Sequence, residues 1–153
     1  MLAFVVASRF GMLFGLALWL GLGMALLLTL PVVQKQLPQP QARELGDAIT
    51  ARLDGMLYLA VGLVVVALVA RVYIDRAAPP SSLIIPVAVM TLARLLSALT
   101  FSPALRALLV RMRDESAPAS EAERSAFARL ASARGLLLTL EVCLSLYALY
   151  AVS

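Results

Sequence analysis

Histidine is absent from this chain, and cysteine and lysine occur once each, as Cys143 and Lys35. Without histidine there is no Ser-His hydrolase centre, no Cys/His zinc site and no histidine-ligated haem. A lone cysteine cannot build a disulfide framework. No glycine-rich phosphate loop, nucleophile elbow or metalloprotease helix pattern occurs either. These absences argue against an enzyme and leave no residue set for a cofactor or a metal. Met12, Met24, Met56, Met90 and Met112 with Cys143 do not make a soft-metal site, because no two of them stand at a helical i, i+3 or i+4 spacing. Their expected role is core filling. Charge is scarce as well, at 14% of residues against about 25% in soluble domains.

What is present is apolar. Hydrophobic residues make up 62% of 153 positions, and a domain of about 150 residues still exposes roughly a third of its unfolded surface. A single water-soluble core cannot hide that much, so lipid is the expected solvent. Covering a hydrocarbon core of about 30 Å takes about 20 helical residues. Four runs qualify: 11–30, 55–74, 83–101 and 135–152. Helix is expected for all of them, because a backbone in lipid must satisfy its own hydrogen bonds and no period-two alternation marks a barrel strand. The first run exceeds the roughly 7–15 apolar residues of a secretory signal, and Leu30, Pro31, Val32 and Val33 offer no small-residue cleavage pattern. It is expected to remain as a span.

The basic residues set the expected orientation. Lys35, Arg43 and Arg52 lie between the first two spans, and Arg106, Arg111, Arg113, Arg124, Arg129 and Arg134 lie between the last two. The opposite side has Arg9, Arg71 and Arg76. The positive-inside rule then places both long connections in the cytoplasm and both termini, with the Pro79-Pro80 turn, outside. Because these arginines flank apolar spans, the formal charge of +4 points to an anionic lipid surface and not to nucleic acid. The connections themselves look helical. Leu45, Ile49, Leu53 and Met56 recur at helical spacing, so the second helix is expected to begin near Gln41. Leu105, Leu108, Leu109 and Met112 continue the third helix past Pro103, Asp114 to Ala119 form a turn, and Ser120 with Glu123 make a capping box that opens the last helix. The expected fold is an all-α, integral membrane four-helix bundle with helical cytoplasmic extensions, forming a single domain over residues 1–153.

Two ionisable residues fall inside spans. Arg94 lies eight residues before Ser102 and Glu141 seven after Arg134, so each is about 10–12 Å from the same end of its helix. On adjacent antiparallel helices they would meet, or share a polar cluster with Ser97, Thr139 or Tyr58. Either alone at depth costs about 3 kcal/mol or more. Two roles stay open: fixing helix register, or holding a proton or cation on a transport path. Small residues give a second pattern, with Gly11 and Gly15 on one face of the first helix and Ala17, Gly21 and Ala25 on another. Close packing is expected there, within the chain for one face. Trp19 reads as a packing residue, and Tyr73, Tyr147 and Tyr150 suit an outer interface.

The run Leu16-Ala17-Leu18-Trp19-Leu20-Gly21, Pro31 closing the first span, the Ser102-Pro103 step before Leu105 and Arg106, and Phe127 with Leu130 leading into the last span form an ordered set. In these features the chain resembles a family of small bacterial membrane proteins, classed as a domain of unknown function and similar to the eukaryotic transmembrane-protein-205-like proteins. The resemblance implies a four-helix membrane fold. Ala131 stands where that family often has a histidine, and Glu141 falls at its usual polar position in the last span. The functional expectation is a bacterial inner-membrane accessory or assembly component that docks a membrane or cytoplasmic partner through its helical extensions. The alternative is a small transporter or ion pathway using Arg94 and Glu141, expected to be a homo-oligomer.

Overall fold

The computed structural model describes residues 2–75, 80–112 and 120–152, and all of its regular elements are helical. Helix α1 spans Leu2–Gln36 and α2 spans Gln39–Asp75; α3, Ser81–Leu96, passes through a π-helical turn at Ser97–Phe101 into α4, Ser102–Met112; α5 is Glu121–Val152. Four helical stretches are long and apolar enough to cross a membrane, compatible with a transmembrane bundle. At about 1.5 Å per residue the 37 residues of α2 make a helix of about 55 Å, well beyond a hydrocarbon core of about 30 Å.

Prolines explain most of the punctuation. Pro31 does not end α1, which runs on for a little over one turn to Gln36; a proline inside a helix removes one backbone bond without necessarily stopping it. The break falls at Leu37 and Pro38, where Leu37 N–H still reaches the Val33 carbonyl at 3.2 Å and Ala42 N–H donates to the Pro38 carbonyl at 2.9 Å. Helix α2 therefore starts two residues before the expected Gln41, with Pro40 in the first turn, where its missing N–H has no helical partner to lose. The third helix does continue past Pro103, but through the wider turn. Ser102 N–H donates to Ser97, five residues back. This register sits just ahead of Pro103, whose ring and missing N–H disturb ordinary α spacing. Ser120 and Glu123 form the expected capping box, Glu123 N–H donating to Ser120 Oγ at 3.3 Å and Ser120 N–H to Glu123 Oε2 at 3.0 Å. The Asp114 to Ala119 turn, Arg76 and Arg113 lie outside the described residues.

In the bundle α1 lies between α2 and α5, α5 also packs on α3, and α2 touches α3 only lightly. Each helix offers one stripe at alternating three- and four-residue spacing. On α1 it is Met12, Leu16, Trp19 and Leu26; on α2, Leu57, Ala60, Val64 and Ala67; on α3, Leu83, Val87 and Met90. Close approach needs glycine at two places. A Cβ on Gly15 would stand 2.8 Å from Val64 Cγ2, and one on Gly23 2.6 Å from Val142 Cγ2. Gly11 faces Ala67 across the same α1–α2 contact. Ala17 and Gly21 face outward, and nothing lies within 4 Å of a Cβ built on Gly21. Met12 and Met90 fill the core, whereas Met24 and Met56 are exposed on the apolar exterior.

Candidate functional site

The packing stripes do not stay apolar. On α2 the stripe that holds Leu57 and Val64 runs back through Asp54 and Thr50; on α3 it runs on from Met90 to Arg94 and Ser97; on α5 it contains Leu138, Glu141 and Ser145. All six polar side chains are buried, Asp54 at 8% exposure, Arg94 at 3% and Glu141 at 1%. Helical periodicity therefore aims charges into the bundle axis at one end and hydrocarbon at the other.

The charges answer one another across helices. Arg94 Nε and Nη2 donate to Glu141 Oε2 at 3.1 and 2.5 Å. The same oxygen accepts Trp19 Nε1–H at 3.0 Å. Arg94 turns Nη1 to Asp54 Oδ1 at 3.1 Å, and Arg134 Nη2 donates to Asp54 Oδ2. One chain of bonds thus runs Trp19, Glu141, Arg94, Asp54, Arg134, drawing a residue from α1, α2 and α3 and two from α5. Its two guanidinium groups and two carboxylates cancel in formal charge. Burying an ion without such partners costs several kcal/mol, and here the bonds run to groups on other helices. Among the described residues, no buried side-chain nitrogen or oxygen lacks a partner.

Several residues sit elsewhere than the sequence suggested. Thr139 is exposed and returns its hydroxyl to the Gly135 carbonyl at 2.9 Å, whereas Tyr58, 42% exposed, lies one turn past Asp54 and within electrostatic range of Asp54, Arg94, Arg134 and Glu141. Thr50 and Thr91 bond their own helix in the same way, at 2.6 and 2.8 Å, the usual route by which an intramembrane hydroxyl satisfies itself. Arg134 turns inward to Asp54 instead of joining the basic face. Arg106, Arg124 and Arg129 are exposed, and exposed Arg111 stands 3.9 Å from Glu123. Asp54 carries no mark in the hydropathy pattern, because the second apolar run begins at Gly55. Its four-residue offset from Thr50 and three-residue offset from Leu57 was the available signal.

The network forms the inner end of a cavity of about 200 Å³. Asp54, Arg94, Ser97, Arg134 and Glu141 line its deep part, Leu30, Leu105, Leu109 and Phe127 its walls, and Gln34 and Asp47 its mouth. Along α5 it extends from Phe127 to Glu141, about 21 Å at 1.5 Å per residue. Past Glu141 the buried stripe is apolar except for Ser145, whose hydroxyl bonds the Val142 carbonyl at 2.9 Å. Polar access from the mouth therefore ends near Glu141 and Trp19. No family model, curated protein or solved structure matches this chain.

Proposed function

We propose that this chain is a multi-pass protein of a bacterial inner membrane that serves as an accessory or assembly component. In this reading the bundle is a fixed scaffold, and its helix ends at the cavity mouth, which the basic residues orient toward the cytoplasm, engage a membrane or cytoplasmic protein. The observation that carries it is the bonding of Arg94, Asp54, Glu141 and Arg134 to one another, which suits a rigid support better than a moving carrier. The resemblance to the transmembrane-protein-205-like family belongs to the same proposal and supports a four-helix membrane fold. Isolation from native membranes in mild detergent tests it: a stoichiometric protein partner is the expected result, and a chain that purifies alone contradicts it. Reporter fusions at Asp114 and Ser153 test the orientation, which requires Ser153 outside.

A second reading, a small ion pathway, is favoured by the cavity that reaches Glu141 from one end. Reconstituted vesicles would then show a cation or proton flux that Glu141→Gln abolishes. No flux in vesicles containing the wild-type chain contradicts it.

A further inference from the structure

The cavity is kept open by small side chains. Ala42 and Gly46 on α2 stand across it from Ala131 and Gly135 on α5, and a Cβ on Gly135 would meet nothing within 4 Å. Its lining carries three carboxylates, Asp47, Asp54 and Glu141, against the guanidiniums of Arg94 and Arg134. Two of each cancel within the network. The third carboxylate, Asp47, is exposed at the mouth beside exposed Gln34, so the entrance is polar.

Hydrogen-bonding capacity of both kinds is left over at the deep end. Every bond that Glu141 accepts goes to Oε2, and neither Glu141 Oε1 nor Ser97 Oγ is bonded among the described residues. A fully enclosed side-chain nitrogen or oxygen without a partner does not occur among those residues, so these two atoms open onto the cavity that both residues line. Beside them Arg134 donates one bond among the described residues, from Nη2, although a guanidinium carries five N–H donors. A lone anion would answer only the donors and a lone cation only the acceptors. A hydrocarbon tail would answer neither and would strand both in oil. Water answers the two together, and the cavity of about 200 Å³ exceeds what one molecule needs.

We propose that the cavity is an aqueous vestibule: water enters past Gln34 and Asp47, reaches Glu141 Oε1 from one face of the membrane, and stops there. The stop is apolar packing. Ser145, one turn beyond Glu141, is fully buried with its hydroxyl on the Val142 carbonyl. Water wets the rim of the network and leaves its inner bonds dry, because Arg94 and Asp54 are buried. The vestibule requires neither a docked protein nor an ion flux, so its test stands apart from both functional readings.

Ser97→Cys and Ser145→Cys compare two buried side chains, one on the cavity and one past its end. Each is placed on a Cys143→Ala background, which removes the sole native thiol. The full-length variants, in right-side-out and in inverted membrane vesicles, are treated with a membrane-impermeant methanethiosulfonate bearing a trimethylammonium group; labelling in sodium dodecyl sulfate sets the maximum. Ser97→Cys is expected to react from one vesicle face at least tenfold faster than from the other, whichever face that is, and at least tenfold faster than Ser145→Cys from either. Adding Gly135→Leu, whose side chain enters the open space, should slow that reaction at least tenfold. Equal inertness of the two thiols, equal labelling from both faces, or labelling indifferent to Gly135→Leu would overturn the proposal.

Discussion

The two ends of this bundle use the same helical stripe in opposite ways. Toward the turn at Pro80, Met12, Leu16, Val64, Ala67, Leu83 and Val87 meet as hydrocarbon, drawn close by Gly15. Toward the turn between α1 and α2, the equivalent positions hold Asp54, Arg94, Ser97 and Glu141 around a cavity. Lipid tails are as apolar as a leucine core, so the first end is held by fit alone, and fit is lost in small steps. The second end is held by charges that have no alternative partner in hydrocarbon, and losing one strands the others. Geometric tolerance should therefore differ sharply between the ends.

That contrast can be broken or sharpened by substitution, each variant followed by denaturation in mild detergent. The largest effect is expected for Arg94→Leu, which leaves Glu141 and Asp54 buried without their shared cation and should cost about 3–5 kcal/mol; a loss below about 1 kcal/mol would erase the distinction. At the apolar end Gly15→Leu should cost about 1–3 kcal/mol by overpacking against Val64. Gly21→Leu on the outward face should change little, so equal losses would mean that the α1–α2 contact is not tight. Ser120→Ala removes a cap outside both regions and should cost about 1 kcal/mol, measured as fraying of the α5 start by hydrogen exchange. Thr139→Val, which deletes only a hydroxyl bonded to its own helix, should stay within about 0.5 kcal/mol.

The helices were legible because apolar runs of that length have few other solutions, and the α5 start was legible from Ser120 and Glu123. Depth counting along the third and fourth spans also brings Arg94 and Glu141 to one level, where they are bonded. Asp54 was hidden for a specific reason. A hydropathy run registers where charge stops, so it began at Gly55, whereas the packing stripe passes through Asp54 without interruption. The bulk of Trp19 marks it as a packing residue, whereas its N–H, the donor that reaches Glu141, leaves no trace in an apolar run. Arg134 resembles the surface arginines by its place in the chain, although it stands seven residues, about two turns, from Glu141 on the same face. The cavity left no run at all, because it arises where Ala42, Gly46, Ala131 and Gly135 are small on two different helices.

The central claim is that Arg94 and Glu141 act as a coupled pair within a charge-balanced network, and a double-mutant cycle tests it most directly. Unfolding free energies in the same detergent would be compared for wild type, Arg94→Leu, Glu141→Leu and the double variant. Because the double variant keeps the Asp54–Arg134 pair and leaves no buried charge unpaired, its loss should fall at least about 2 kcal/mol short of the two single losses added together. Additive losses, with the double variant as damaged as both singles combined, would contradict the account.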